Sequence, residues 1–177
     1  MTYTETYLQK IRDRGNPQLA DSIATTINGI APTYLENFSF CDNEVGLLFG
    51  NVQSGKTGQM FGIMCKAADL GFPVIGLLTT DNVVLQQQTL ERVKSDLKGF
   101  CICGETDGGL FLENSLVEPA IIVLKKNYRV LKLWAIILNS TGFMKGNPLL
   151  LFVNSWSVGM TLDRNPGLVL SEFGKNN

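Results

Sequence analysis

Residues 50–57 read Gly50-Asn51-Val52-Gln53-Ser54-Gly55-Lys56-Thr57, a complete G-x-x-x-x-G-K-[ST] phosphate-loop pattern. Each fixed position has a physical task. The glycines let the backbone wrap closely around an oxyanion with its amide N–H groups turned inward. Lys56 brings a positive charge to the β- and γ-phosphates of a nucleotide, and the Thr57 hydroxyl is the usual inner ligand of the accompanying Mg²⁺. The residues expected to hold ATP are therefore Gly50, Gln53, Ser54, Gly55, Lys56, Thr57 and Gly58, with Thr57 also on the metal. A helix opening at this point adds the positive end of its dipole.

Such a loop works only between a strand and a helix, and the flanks supply both. Val45-Gly46-Leu47-Leu48-Phe49 is a short apolar run suited to a buried parallel strand. Met60, Ile63, Met64, Ala67 and Ala68 then recur at helical spacing, and Gly71 is placed to end that helix. This context weighs against the bland alternative, a glycine-rich turn that binds nothing.

The alternation continues downstream. Pro73–Leu78 reads as a second strand, followed by a cap at Asp81 or Asn82 and a helix through Val84, Leu85, Leu90, Val93 and Leu97. Ala120–Leu124 is a further strand, a helix follows from about residue 127 to 138, and Leu149–Val153 is the last strand. Continuous apolar strands alternating with helices imply an α/β fold with a parallel sheet covered on both faces, here a RecA-like P-loop lobe. Ligands of such sheets bind outside the strands' carboxyl ends.

Residues 98–119 break the alternation and suggest turns around a short strand at Phe100–Cys103. Ahead of the lobe, Tyr3, Tyr7, Leu8 and Ile11 share one helical face. Asn16-Pro17 starts a second helix, on which Leu19, Ile23 and Ile27 repeat. The expected organisation is a helical preface over 1–43, a nucleotide-binding lobe over 44–153 and a divergent tail over 154–177.

Composition narrows the function classes. The chain has 177 residues and a formal net charge of −1, so no global field draws it to nucleic acid or anionic membrane. A polar N-terminus argues against a signal peptide, and no apolar run reaches membrane-spanning length, so a cytoplasmic protein is expected. Four cysteines and no histidine argue against a zinc site and remove the commonest general base.

The second half of a nucleotide site is missing. In P-loop enzymes an apolar strand ends in Asp, often Asp-Glu, for Mg²⁺ and the attacking water. Here Leu151-Phe152-Val153 runs into Asn154-Ser155-Trp156-Ser157. Binding is expected to survive and hydrolysis to be impaired. Glu44, Asp81 and Asp163 are the carboxylates that could substitute, and spacing chooses none of them. Gln88 and Arg92 after the second strand, and Lys125 and Lys126 after the third, are weaker candidates for nucleic-acid or lobe contacts. Capping and solvated surface are the competing explanations for all four.

The loop residues with Met60, Lys66–Gly71, Leu85, Gln88-Thr89, Arg92, Asp96-Leu97, Ile122–Asn127 and Val130-Leu131 resemble the Z-one endonuclease domain family. These are bacterial P-loop proteins related to superfamily-two helicases and found in restriction and defence systems. The resemblance covers most of residues 45 to about 151. It implies a helicase-like ATPase lobe whose partners are nucleotide, DNA through a fuller protein, and other restriction or defence proteins. It also implies Asp-Asp-Glu-Ala-Asp after Leu149-Leu150, where this chain has Val153, Asn154 and Ser155. Truncation, a shifted reading frame and true divergence each explain the departure. The alternative class is a non-catalytic nucleotide-binding or interaction module; a small phosphotransferase ranks below both.

Overall fold

A computed structural model describes residues 1–38, 43–50, 55–115, 117–140, 149–154 and 167–174, and only the backbone at 43–50, 149, 153–154 and 167–174. Among the described residues, thirteen elements follow one another. Two helices lead, α1 (Tyr3–Asp13) and α2 (Pro17–Ile30), the second running into a π-helical turn over Ala31–Leu35. Next come β1 (Asn43–Gly50), α3 (Lys56–Asp69), β2 (Val74–Thr79), α4 (Val83–Asp96) and β3 (Cys101–Cys103). The last are α5 (Gly108–Asn114), β4 (Ala120–Lys125), α6 (Tyr128–Ser140), β5 (Leu149–Asn154) and β6 (Gly167–Gly174).

The strands form one six-stranded sheet in the order β1-β6-β5-β2-β4-β3. Every pairing is parallel. The expected α/β class with a parallel sheet is therefore what the chain adopts. Strand residues alternate between two apolar layers, as the period of two demands. Ile75, Leu77, Ile121, Val123, Leu150 and Phe152 share one layer with side chains of α1 to α4. Val74, Leu78, Ala120, Ile122, Leu124 and Leu151 share the other with Phe111 of α5 and Trp134 and Leu138 of α6. Burial on both faces explains why the strands are apolar without interruption.

Two elements differ from the sequence expectation. Residues 108–114, read as turns, form α5, because Phe111 is fully buried edge-on against Trp134 at a ring separation of 5.6 Å. The segment set apart as a tail supplies β6, which lies between β1 and β5 and pairs with both.

The preface is tied to the lobe at several points. A capping box at Thr2 and Glu5 satisfies two N-terminal donors of α1. Asp69, at the far end of α3, accepts from the backbone N–H of Tyr3 at 2.7 Å and of Thr4 at 3.0 Å. Lys66 pairs with Glu36 at 3.2 Å. Asp96, closing α4, faces Lys10 at 4.0 Å, Arg14 at 2.6 Å and Arg92 at 3.9 Å. A carboxylate at a helix C-terminus opposes the dipole, and the three cations offset that cost. Among the described residues no helix is long and apolar enough to cross a membrane.

Candidate functional site

β1 ends at Gly50 and α3 begins at Lys56, so the motif spans a strand-to-helix junction at the carboxyl end of the sheet. Asn51, Val52, Gln53 and Ser54 lie outside the described residues, and the expectations for Gln53 and Ser54 rest there. Gly55 caps α3 in the left-handed region, φ 75° and ψ 18°, a conformation costly for any residue with a Cβ. The first intrahelical bond runs from Gln59 N–H to the Gly55 carbonyl, at 3.1 Å. The amides at the start of α3 precede that bond and point out of the helix's N-terminus. No side chain of Gly55 can cap them, and the first turn holds no acidic residue. That donor set, with Lys56 beside it, suits an anion.

Two elements hold this turn from behind. Tyr7 of α1, almost wholly buried, donates its hydroxyl to the Gly58 carbonyl at 3.3 Å. Burial and the Asp96 charge push its pKa well above the usual phenol range, so it remains a donor. On α2, Leu19 stands 3.1 Å from where a Cβ on Gly55 would lie, and Ser22 accepts from Gln59 Nε2 at 3.0 Å. The other amide atom of Gln59, Oε1, is buried without a hydrogen-bond partner.

The residues expected at a metal are less complete. Thr57 is in place on the first turn of α3. β5 ends in Asn154, which carries no charge. Parallel register sets Asn154 level with Glu172 of β6, and Glu172 level with Leu48 of β1. Glu172 is the one acidic residue in β5 or β6. Of the substitutes considered, Glu44 is the second residue of β1, six residues from Gly50. At about 3.3 Å per residue that is roughly 20 Å from the loop, which removes it from consideration. Asp81 sits beyond β2 and accepts from Asn127 Nδ2 at 3.5 Å. Asp163 lies outside the described residues.

The four weaker candidates lie on α4 and at the end of β4. Lys125 and Lys126 follow one another at the end of β4. Lys125 is held by Glu105, whose carboxylate accepts from its backbone N–H at 2.9 Å and pairs with its Nζ at 3.4 Å. Gln88 is exposed on α4. Arg92 is nine residues into the same helix, about 14 Å from its start. It faces Asp96 of its own helix and lies 6.0 Å from the centre of the Phe61 ring on α3, so it serves the packing of α4 beside α3.

Burial pushes the Cys65 and Cys103 thiols far above the usual range. Among the described residues no group of three or more Cys, Asp or Glu could hold a metal ion. A cleft of about 290 Å³ lined by Tyr3, Tyr7, Lys10, Cys65, Asp96 and Phe100 lies at the far ends of α3 and α4, away from the phosphate loop.

Sequence reasoning missed the supports of the turn. Tyr7 and Leu19 read as ordinary core positions, and nothing in their spacing distinguishes them from Ile11 or Ile27. Comparison with protein-family models, curated proteins and solved structures returns no match for this chain.

Proposed function

We propose that this chain is the ATP-binding lobe of a helicase-like P-loop protein, retaining the phosphate cradle and impaired in hydrolysis. The observation that carries this reading is the left-handed Gly55 followed by Lys56 and Thr57 on the first turn of α3, at the positive end of the helix dipole. Lys56 would neutralise the terminal phosphates, and the amides of Lys56, Thr57 and Gly58 would bond their oxygens. Mg²⁺, held through Thr57, would supply charge to the β- and γ-phosphates. The strand order supports the same reading. With β6 between β1 and β5, the ends of β1 and β5 stand about 10 Å apart, room for a nucleotide's phosphates.

The helicase-like identity and the Z-one family rest on the sequence resemblance. Under that reading DNA is a partner of a fuller protein, and this lobe binds the nucleotide that drives it. A second reading, a non-catalytic nucleotide-binding module, is favoured by one observation: β5 ends in the uncharged Asn154, where a carboxylate would hold the water shell of Mg²⁺.

Titration with a non-hydrolysable ATP analogue tests the common core of both. The chain should bind it, and Lys56→Ala should weaken binding by about 10- to 100-fold, the worth of a charge-assisted contact to phosphate. Equal affinity in the two proteins would refute the assignment. ATP turnover, with and without single-stranded DNA, then separates the readings: stimulated turnover excludes the module.

A further inference from the structure

We infer that the N-terminal helical pair is the positioning element of the Gly55–Gly58 turn that opens α3, with Tyr7 and Leu19 the residues through which it acts. The inference rests on the nucleotide reading and names what sets the cradle's shape. α1 is anchored at one end of α3 by Asp69 and to α4 by Asp96, so its place is fixed from two sides. From that anchored helix Tyr7 reaches the other end of α3, where its hydroxyl meets the Gly58 carbonyl in the first turn. A buried tyrosine needs a partner for its hydroxyl, and this one spends the bond on the residue immediately after the Gly-Lys-Thr triplet.

α2 approaches the same helix at backbone distance. A Cβ on Gly62 would lie 2.4 Å from Ile23 Cγ2 and 3.0 Å from Ile27 Cδ1, so the two helices have no slack between them. That contact holds Leu19 against Gly55, the left-handed hinge on which the loop turns into α3. The Ser22–Gln59 bond adds a polar tie one turn further along. A turn held in this way is already shaped before a phosphate arrives. Less ordering then remains to be done on binding, and affinity rises accordingly.

The test uses the full chain and three variants: Tyr7→Phe, which removes one hydroxyl and keeps the ring; Leu19→Ala; and Phe111→Leu in the opposite layer as a comparator for general destabilisation. Two quantities are measured under conditions where all are folded. One is amide hydrogen exchange at Lys56–Gln59 without ligand. The other is affinity for the non-hydrolysable ATP analogue with Mg²⁺. Tyr7→Phe and Leu19→Ala should each speed exchange at these amides and weaken the analogue by about three- to tenfold, the loss of one contact. Phe111→Leu should lower the melting temperature and leave both quantities unchanged. Unchanged exchange and affinity in Tyr7→Phe and Leu19→Ala, or equal changes in Phe111→Leu, would overturn the inference. Should the unsubstituted chain fail to bind the analogue, the nucleotide reading falls, and exchange alone decides whether the helical pair holds the turn.

Discussion

Cys65 is on the cradle helix, 1% exposed, and its thiol is held protonated by burial, with the Asp69 charge adding to the effect. Cys103 is held in the same way by burial and by its hydrogen bond to Cys101, whose sulfur is 3.6 Å away. Both folded-state values lie above the unfolded thiol value of about 8.5. Above that pH the unfolded chain has released these protons while the folded chain keeps them. The unfolded state then binds fewer protons, and stability must fall as pH rises. The stability these thiols contribute is fully present below about pH 8.5 and is lost progressively above it. Tyr7, raised for the same reason, adds its own loss above about pH 10. Urea melts between pH 8 and 10 should therefore show declining stability, and Cys65→Ala should flatten the decline while lowering stability at neutral pH. A slope identical to that of the unsubstituted chain would refute the assignment to Cys65.

At the scale of elements, the strands were the most legible part of the chain. Apolar runs such as Val74–Leu78 and Ala120–Leu124 have few alternatives once helices separate them. The cap at Asn82 was legible too, and its side chain accepts from the amides of Val84 and Leu85. α5 was not, because Gly108 and Gly109 lower local helix propensity and only tertiary burial of Phe111 offsets that. β6 was not, because Leu168-Val169-Leu170 is too short to declare itself until β1 and β5 leave a gap for it. Long-range polar ties were invisible for a further reason. Asp96 reads as a surface carboxylate at a helix end, yet its side chain is only 11% exposed and gathers Lys10, Arg14 and Arg92 from two elements. Partial burial limits screening, so this cluster should contribute more than an exposed pair. Asp96→Ala is expected to cost about 1–2 kcal/mol. In a chain of this size that lowers the melting temperature by roughly 3–6 °C. A change below about 1 °C in a thermal melt would show that the cluster carries no net stability.

For the whole molecule, the decisive feature is that the two halves of the proposed nucleotide site would come from strands that are not neighbours. β1 delivers the loop, β5 ends beside it at Asn154, and β6 separates them. The loop half was legible because its chemistry is local: eight consecutive residues contain it. The other half depends on which strand ends lie together, and that is a property of the sheet. On the proposed reading, an uncharged Asn154 would leave Mg²⁺ with Thr57 and the phosphates for ligands and no carboxylate from β5 to hold its water shell. Nucleotide affinity should accordingly depend little on the metal, with less than about a threefold loss on chelation. Asn154→Asp replaces an amide by a carboxylate of nearly the same shape at the end of β5, and a charge there should draw the metal in. The variant is expected to bind the ATP analogue about tenfold more tightly with Mg²⁺ than without, a difference of about 1.4 kcal/mol. Without the metal, the same substitution should weaken binding, because the new carboxylate then faces the phosphates unscreened. Calorimetric titration of both proteins in Mg²⁺ and in chelator gives all four affinities. An Asn154→Asp protein as indifferent to Mg²⁺ as the unsubstituted chain would mean that the end of β5 does not face the bound phosphates.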